Sequence, residues 1–267
     1  MITPIPFDDG TGSPAETGRF GNSRRHWPHL TRFGVAVAAA VSLALATLAF
    51  TAGCTAHADE PPTGPEPGAT VTLHHIDVGQ ADATLIQGPD GTILIDAGHW
   101  QRNEVVPYLK AAEVEVIDLV VLTHPHADHI GQIPAVLEAF EVTEVWMTGW
   151  EHESQTLERA LDAVLASDAG YHEPRAGETQ AFGELVVEVV HPVEPLTDVH
   201  DNLAVRVVFG DFAALYTGDA EVRHEVEMTE RDLELGAQVL QLGHSTYATS
   251  GPGLTRARGQ WRTGTRR

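Results

Sequence analysis

The order of apolar segments predicts an α/β fold of the α+β kind, with two packed sheets and helices outside them, and three observations carry that prediction. Runs of about four to eight residues rich in Val, Ile and Leu, such as 116–122 and 185–190, have the length and β-branched content of buried strands. They are interspersed with helical periodicity, clearest at 154–167, where Leu157, Leu161 and Leu165 fall one turn apart. Polar residues collect just after the strands, where layered folds of this kind build their sites.

The elements follow in order. Strand patterns at 71–78 and 83–86 are joined by Gly79-Gln80-Ala81-Asp82, and residues 91–98 form a buried strand that ends in Asp96 and a glycine turn. Residues 102–112 suit a helix, 116–122 a strand, 131–140 a helix and 142–147 a short strand. After the amphipathic helix come strands at 185–190, 203–209 and 213–217, then Gly218-Asp219, a helical stretch from Ala220, and a last strand at 238–242 that ends in Gly243-His244-Ser245.

The N-terminus reads differently. From Phe33 to Gly53 there is no charged residue, and Arg24, Arg25 and Arg32 precede this stretch, the pattern of an export signal or membrane anchor. Ser23-Arg24-Arg25 loosely resembles the start of a twin-arginine signal. Thr51-Ala52-Gly53-Cys54 resembles a lipoprotein cleavage site with Cys54 as the lipidated residue; the alternative is an uncleaved signal anchor with a cysteine at its end. Either reading makes residues 1–54 the leader and tethers the protein at the outer face of the cytoplasmic membrane. Residues 55–69, rich in Pro, Gly and Glu, form a flexible linker to a domain at 70–250.

Composition narrows the function. A formal charge of −22 argues against a surface that coats nucleic acid. Lys110 is the only lysine, and acidic, lysine-poor chains of this kind resemble salt-adapted proteins. The single cysteine, Cys54, leaves no thiol nucleophile in the domain, and no glycine loop for ATP or a dinucleotide is present, so no nucleotide cofactor is implied.

The chemistry concentrates in residues 123–131, Thr-His-Pro-His-Ala-Asp-His-Ile-Gly. In an extended loop, residues two apart point the same way, so His124 and His126 can share one ion while Asp128 and His129 turn toward a second. Imidazole and carboxylate suit zinc, manganese or iron, and two ions about 3.5–4 Å apart can share one water-derived ligand. Asp219, after a strand and a glycine turn, either offers an oxygen to each of two ions or caps the following helix.

Five segments, 76–83, 94–98, 123–131, 201–207 and 216–221, resemble in order the metallo-β-lactamase-fold hydrolases. Their closest likeness is to the C-terminal hydrolase domain of DNA-uptake competence proteins and its stand-alone relatives. The resemblance implies an αββα sandwich with two divalent metal ions, zinc or else manganese, at one edge. It implies that His124 and His126 hold the first, that Asp128, His129 and His244 hold the second, and that Asp219 bridges them. Asp128 would also orient the attacking water, Asp96 would buttress the His loop, and Asp77, Gln80 and Asn202 would lie close by.

Two departures stand out. Where many fold members supply a further histidine to the first metal, this chain reads Asp201-Asn202, which implies a weak first site, with His191 ending a strand and His200 at the surface. Where this branch carries His-His-Gly-Ser, this chain has His244-Ser245-Thr246-Tyr247. Residues 251–267 hold no acidic residue and several arginines. This reversal fits a shifted reading frame and a domain incomplete at its C-terminus; the alternative is a natural basic tail for acidic surfaces or lipid headgroups.

The expected activity is metal-dependent hydrolysis of a phosphodiester, DNA or a nucleotide, outside the membrane. The alternatives are a lactam, lactone or thioester hydrolase and a non-catalytic surface metal-binding protein.

Overall fold

The computed structural model describes residues 65–194 and 196–241. The leader with Cys54, most of the linker, His244 and the basic tail lie outside them. Sheet one holds β1 (Thr72–His75), β2 (Thr84–Gln87), β3 (Thr92–Ile95), β4 (Val116–Val121), β5 (Glu141–Trp146) and β6 (Gly170–His172), in spatial order one to six. Sheet two holds β7 (Thr179–Phe182), β8 (Leu185–His191), β9 (Ala204–Phe209), β10 (Phe212–Tyr216) and β11 (Val239–Gln241), in the order β11-β10-β9-β8-β7. Helices α1 (Val105–Ala111), α2 (Ala127–Ile130), α3 (Ile133–Ala139) and α4 (Gln155–Ala166) punctuate sheet one, and α5 (Val222–Thr229) lies between β10 and β11.

Alternation along the strands assigns the layers. Along β4, Leu119 and Val121 join Ile93, Ile95, Val205, Val207 and Tyr216 in the core between the sheets, while Val120, and Leu122 just past the strand, face the helix side with Leu109, Ile133 and Leu157. In β10, Ala214 faces the inner core and Ala213 and Leu215 pack outward with Met228 of α5. Side chains two apart share a face of a strand, so each strand can feed two cores at once. The result is the expected helix–sheet–sheet–helix layering.

The differences from expectation have local causes. Ser154 caps α4, its hydroxyl accepting from the Leu157 N–H at 3.0 Å. The buried stripe is Leu157, Ala160 and Val164, whereas Leu165 is 71% exposed, because a 3.6-residue turn carries the third leucine off the face. The helix expected at 131–140 is α3, and a short additional helix, α2, precedes it within the His/Asp segment; Gly131 follows α2, and a Cβ there would stand 2.1 Å from the Trp100 backbone nitrogen and 2.4 Å from the Ala127 oxygen. Strands β6 and β7 are short and mostly exposed, so they carry little of the apolar pattern that marks a strand in sequence.

Pairing from β3 through β6 is parallel, and β10 runs parallel to β11. The carboxyl ends of β3 and β4 therefore share one edge, and the segments after them meet the one after β10. Among the described residues no helix is long and apolar enough to cross a membrane.

Candidate metal centre

Asp96 follows β3 in the left-handed region at φ 57°, which a short polar side chain tolerates better than most. Its buried carboxylate accepts from the Thr123 N–H at 2.9 Å, the Thr123 hydroxyl at 2.8 Å and His129 Nδ1 at 2.8 Å. Thr123 lies two residues past the end of β4, and its hydroxyl oxygen lies 3.1 Å from His124 Nδ1. With its proton on Asp96, Thr123 accepts from His124, so His124 and His129 both carry hydrogen at Nδ1 and turn Nε2 inward.

Those inward nitrogens face Asp219. His129 Nε2 is 3.8 Å from one carboxylate oxygen and His124 Nε2 is 4.0 Å from the other, and all three side chains are buried. These gaps exceed hydrogen bonds and approach the separation of two donors on one tetrahedral ion, about 3.4 Å for bonds near 2.1 Å. His126 brings Nδ1 to 2.9 Å from His124 Nε2. Two ring nitrogens at that distance need a proton or cation between them. His126 is the N-cap residue of α2 but makes no side-chain capping bond, and Asp128 lies half-buried in the first turn beside it.

Electrostatics favours a cation here. Burial alone pushes the His129 imidazolium down, but the Asp96 carboxylate at hydrogen-bond distance, followed by Asp219 and Asp82, outweighs it and raises the group to about 9. Carboxylates thus hold positive charge in the cluster even when a proton must supply it. His126 is shifted down, first by burial and then by His200, which keeps it neutral and ligand-competent. The donor set therefore fits a divalent metal, with His124, His129 and Asp219 able to present one ligand atom each within 4.8 Å of one another.

Asn202 is fully buried and uses its amide differently from a ligand. Its Oδ1 accepts the Asp219 N–H at 3.0 Å and its Nδ2 donates to the His200 carbonyl at 2.5 Å. Gly218, at φ 51°, is needed there, since a Cβ would stand 2.7 Å from both Asn202 Oδ1 and the Thr123 Cβ. The histidine one residue before Asp201 reaches the cluster: the His200 ring centre is 5.2 Å from that of His126 and 6.4 Å from that of His124. His200 was expected at the surface; it is half-buried because the turn centred on Asp201 folds it inward. His191 does end β8, buried, donating Nδ1 to the Asn202 carbonyl at 2.7 Å.

Asp77 and Gln80 are exposed, and Asp77 accepts from the Gly79 N–H of its own turn at 3.3 Å. The same motif instead sends Asp82 inward, where it groups with Asp96 and His129 and accepts from Gln241 Nε2 at 2.7 Å, linking the 76–83 loop to β11. Asp82 was legible only as part of that motif, since nothing in its spacing marks which polar residue turns in.

Residues 76–265 match the model of the metallo-beta-lactamase superfamily. The chain is 26% identical to ComE operon protein 3 of Bacillus subtilis (strain 168) over 63% of its own length and 24% of that protein. It is 27% identical to competence protein ComA of Neisseria gonorrhoeae over 73% of its own length and 26% of that protein, so it spans about a quarter of either relative. Among solved structures, Rm3 metallo-beta-lactamase superposes with a TM-score of 0.47 at 16% identity, over 64% of this chain and 74% of that one. With the layered fold, the His/Asp cluster at the strand ends and a family match across most of its length, this chain belongs to the metallo-beta-lactamase superfamily and carries its hydrolase fold.

Proposed function

We propose that this chain is a metal-dependent hydrolase acting on a phosphodiester, DNA or a nucleotide, outside the membrane to which residues 1–54 tether it. The observation that carries the reading is the convergence of His124 and His129 Nε2 on the two oxygens of Asp219, with His126 and His200 on one side. In this reading His124, His126 and His200 hold one ion, Asp128 and His129 the other with His244, and Asp219 lies between. Zinc suits this nitrogen and oxygen set, with manganese the alternative. Bound metal supplies a nucleophile at neutral pH by lowering the pKa of water, and stabilises charge developing on the phosphoryl oxygens.

The chain's own residues do the rest. Asp128 orients the attacking water by accepting its hydrogen bond. Asp96 fixes the His129 tautomer, Thr123 fixes that of His124, and Asn202 holds the backbone of Asp219. The phosphodiester assignment draws support from the two competence-protein relatives, and the tether from the uncharged stretch at 33–53 after three arginines. In this reading the linker is the stretch before residue 65, because Glu66 already bonds Glu184 and Ala69 packs on the inner core.

The test supplies zinc or manganese to the full-length chain and follows cleavage of bis(p-nitrophenyl) phosphate and of single-stranded DNA. Turnover lost in His126→Ala and Asp219→Ala supports the reading. Metal binding without turnover on either substrate overturns the phosphodiesterase assignment and directs attention to lactam, lactone and thioester substrates.

A further inference from the structure

A second polar cluster lies behind the first, on the α5 side, and contains none of the ligands. Its centre is Asp201, whose carboxylate accepts from the backbone N–H groups of Thr197 and of Asp198, the latter at 3.0 Å. His224 of α5 is completely buried and places Nε2 3.2 Å from Asp201 Oδ1. Its other nitrogen, Nδ1, accepts the Glu221 N–H at 2.9 Å within the α5 capping box.

The side chains of Asp198, Asp201 and His224 lie close enough to be considered an ion site of their own. The tautomer argues otherwise. A backbone N–H aimed at Nδ1 requires a lone pair there, so a neutral His224 carries its proton on Nε2, facing Asp201, and has no lone pair to give an ion. Burial, followed by the charges of His191 and Arg223, keeps His224 neutral. The Asp201 carboxylate is itself fixed in place by the Thr197 and Asp198 N–H groups. His224 therefore packs its Nε2–H edge against the Asp201 carboxylate at 3.2 Å, outside hydrogen-bond geometry.

The placement links two donors of the candidate centre. Asp201 organises the turn that presents His200, and the next residue, Asn202, binds both the His200 carbonyl and the Asp219 N–H. From the other direction, Asp219 leads through Ala220 and Glu221 into α5, which carries His224. The chain thus closes a ring, His224 to Asp201 to Asn202 to Asp219 and back along α5.

We propose that His224 is a positioning residue, which by holding Asp201 sets the angle at which His200 and Asp219 meet the metal. This rests on the metal-site reading above. Metal-ligand supports of this kind are worth about 10–100-fold in affinity. His224→Ala should weaken zinc binding by about that factor and alter the visible absorption of the cobalt(II)-loaded protein, which reports the ligand arrangement directly. His224→Gln, whose side-chain N–H can take the place of Nε2–H, should recover most of both.

The experiment is a zinc competition titration and a cobalt(II) spectrum on full-length wild type and the two variants, with metal-free thermal unfolding alongside. Unchanged zinc affinity and cobalt spectrum in His224→Ala overturn the proposal while leaving the metal site intact. Equal losses in the alanine and glutamine variants assign His224 to packing and also overturn it. A wild type that binds neither metal sinks the metal-site reading and this proposal together. If His224→Ala does not fold, Asp201→Asn replaces it: the same weakening and spectral change support the proposal, and wild-type values overturn it.

Discussion

Asp96→Asn is the sharpest perturbation of the candidate centre, because it preserves shape and removes one acceptor. In the native site two carboxylate oxygens serve three donors: the Thr123 N–H, the Thr123 hydroxyl and His129 Nδ1–H. An amide has one acceptor oxygen, and its NH2 group must face something. With the oxygen kept on the Thr123 N–H, the NH2 group falls opposite the Thr123 hydroxyl, which can turn to accept, and opposite His129 Nδ1–H, which cannot. One buried unsatisfied donor costs about 1–3 kcal/mol. For a domain of this size each kcal/mol shifts Tm by about 2–4 °C, so the metal-free variant should melt about 2–12 °C lower.

Without the Asp96 charge, the main support of its imidazolium form, His129 becomes a neutral ring that keeps its one proton on Nε2, the nitrogen that faces Asp219, and that blocks the lone pair a metal would use. Zinc affinity should then fall about 10–100-fold. The assay is circular-dichroism melting with and without chelator, together with competition against a zinc-binding dye. A variant with unchanged melting temperature and unchanged zinc affinity would refute the claim that Asp96 sets the His129 tautomer.

Two further predictions concern the frame around the site. Gly218→Ala forces a side chain into the left-handed region and against Asn202 and Thr123; it should cost about 2 kcal/mol or more and weaken metal binding, as measured by denaturant unfolding and the same dye competition. The Tyr216 hydroxyl is buried with no hydrogen-bond partner among the described residues, and burial holds its pKa well above the ordinary value. That raised folded pKa contributes stability fully present below about pH 10 and lost as pH rises past it. Tyr216→Phe should therefore leave neutral stability equal or up to about 1 kcal/mol higher and move alkaline unfolding to higher pH, as read by pH-jump fluorescence; a marked loss at neutral pH would contradict it.

Much of this was legible in the residues themselves. The strand at 116–122 and the loop after it could be placed because an unbroken aliphatic run ends in a dense cluster of ligand-type side chains. Ser154 and Ser167 bracketed α4 because a hydroxyl at a helix start and an interrupted apolar stripe are local signals. The rest depended on tertiary contact. His200 and His152 look alike in sequence and both rings come near His126, but only His200, at the turn around Asp201, is half-buried. Asp77, Gln80 and Asp82 lie within six positions, and the inward residue was decided by contact with Gln241, more than 150 residues away. Strands β6 and β7 escaped notice because edge strands need no apolar alternation. Cys54 and His244, both read from motifs, lie outside the described residues.

The measurement that bears most directly on the central claim is metal content per chain, by elemental analysis, of the purified full-length protein beside an Asp219→Ala control. The account predicts about two divalent ions per chain, falling to one or none when the carboxylate between the histidines is removed. A folded wild type that retains no metal after exposure to zinc and manganese would contradict it.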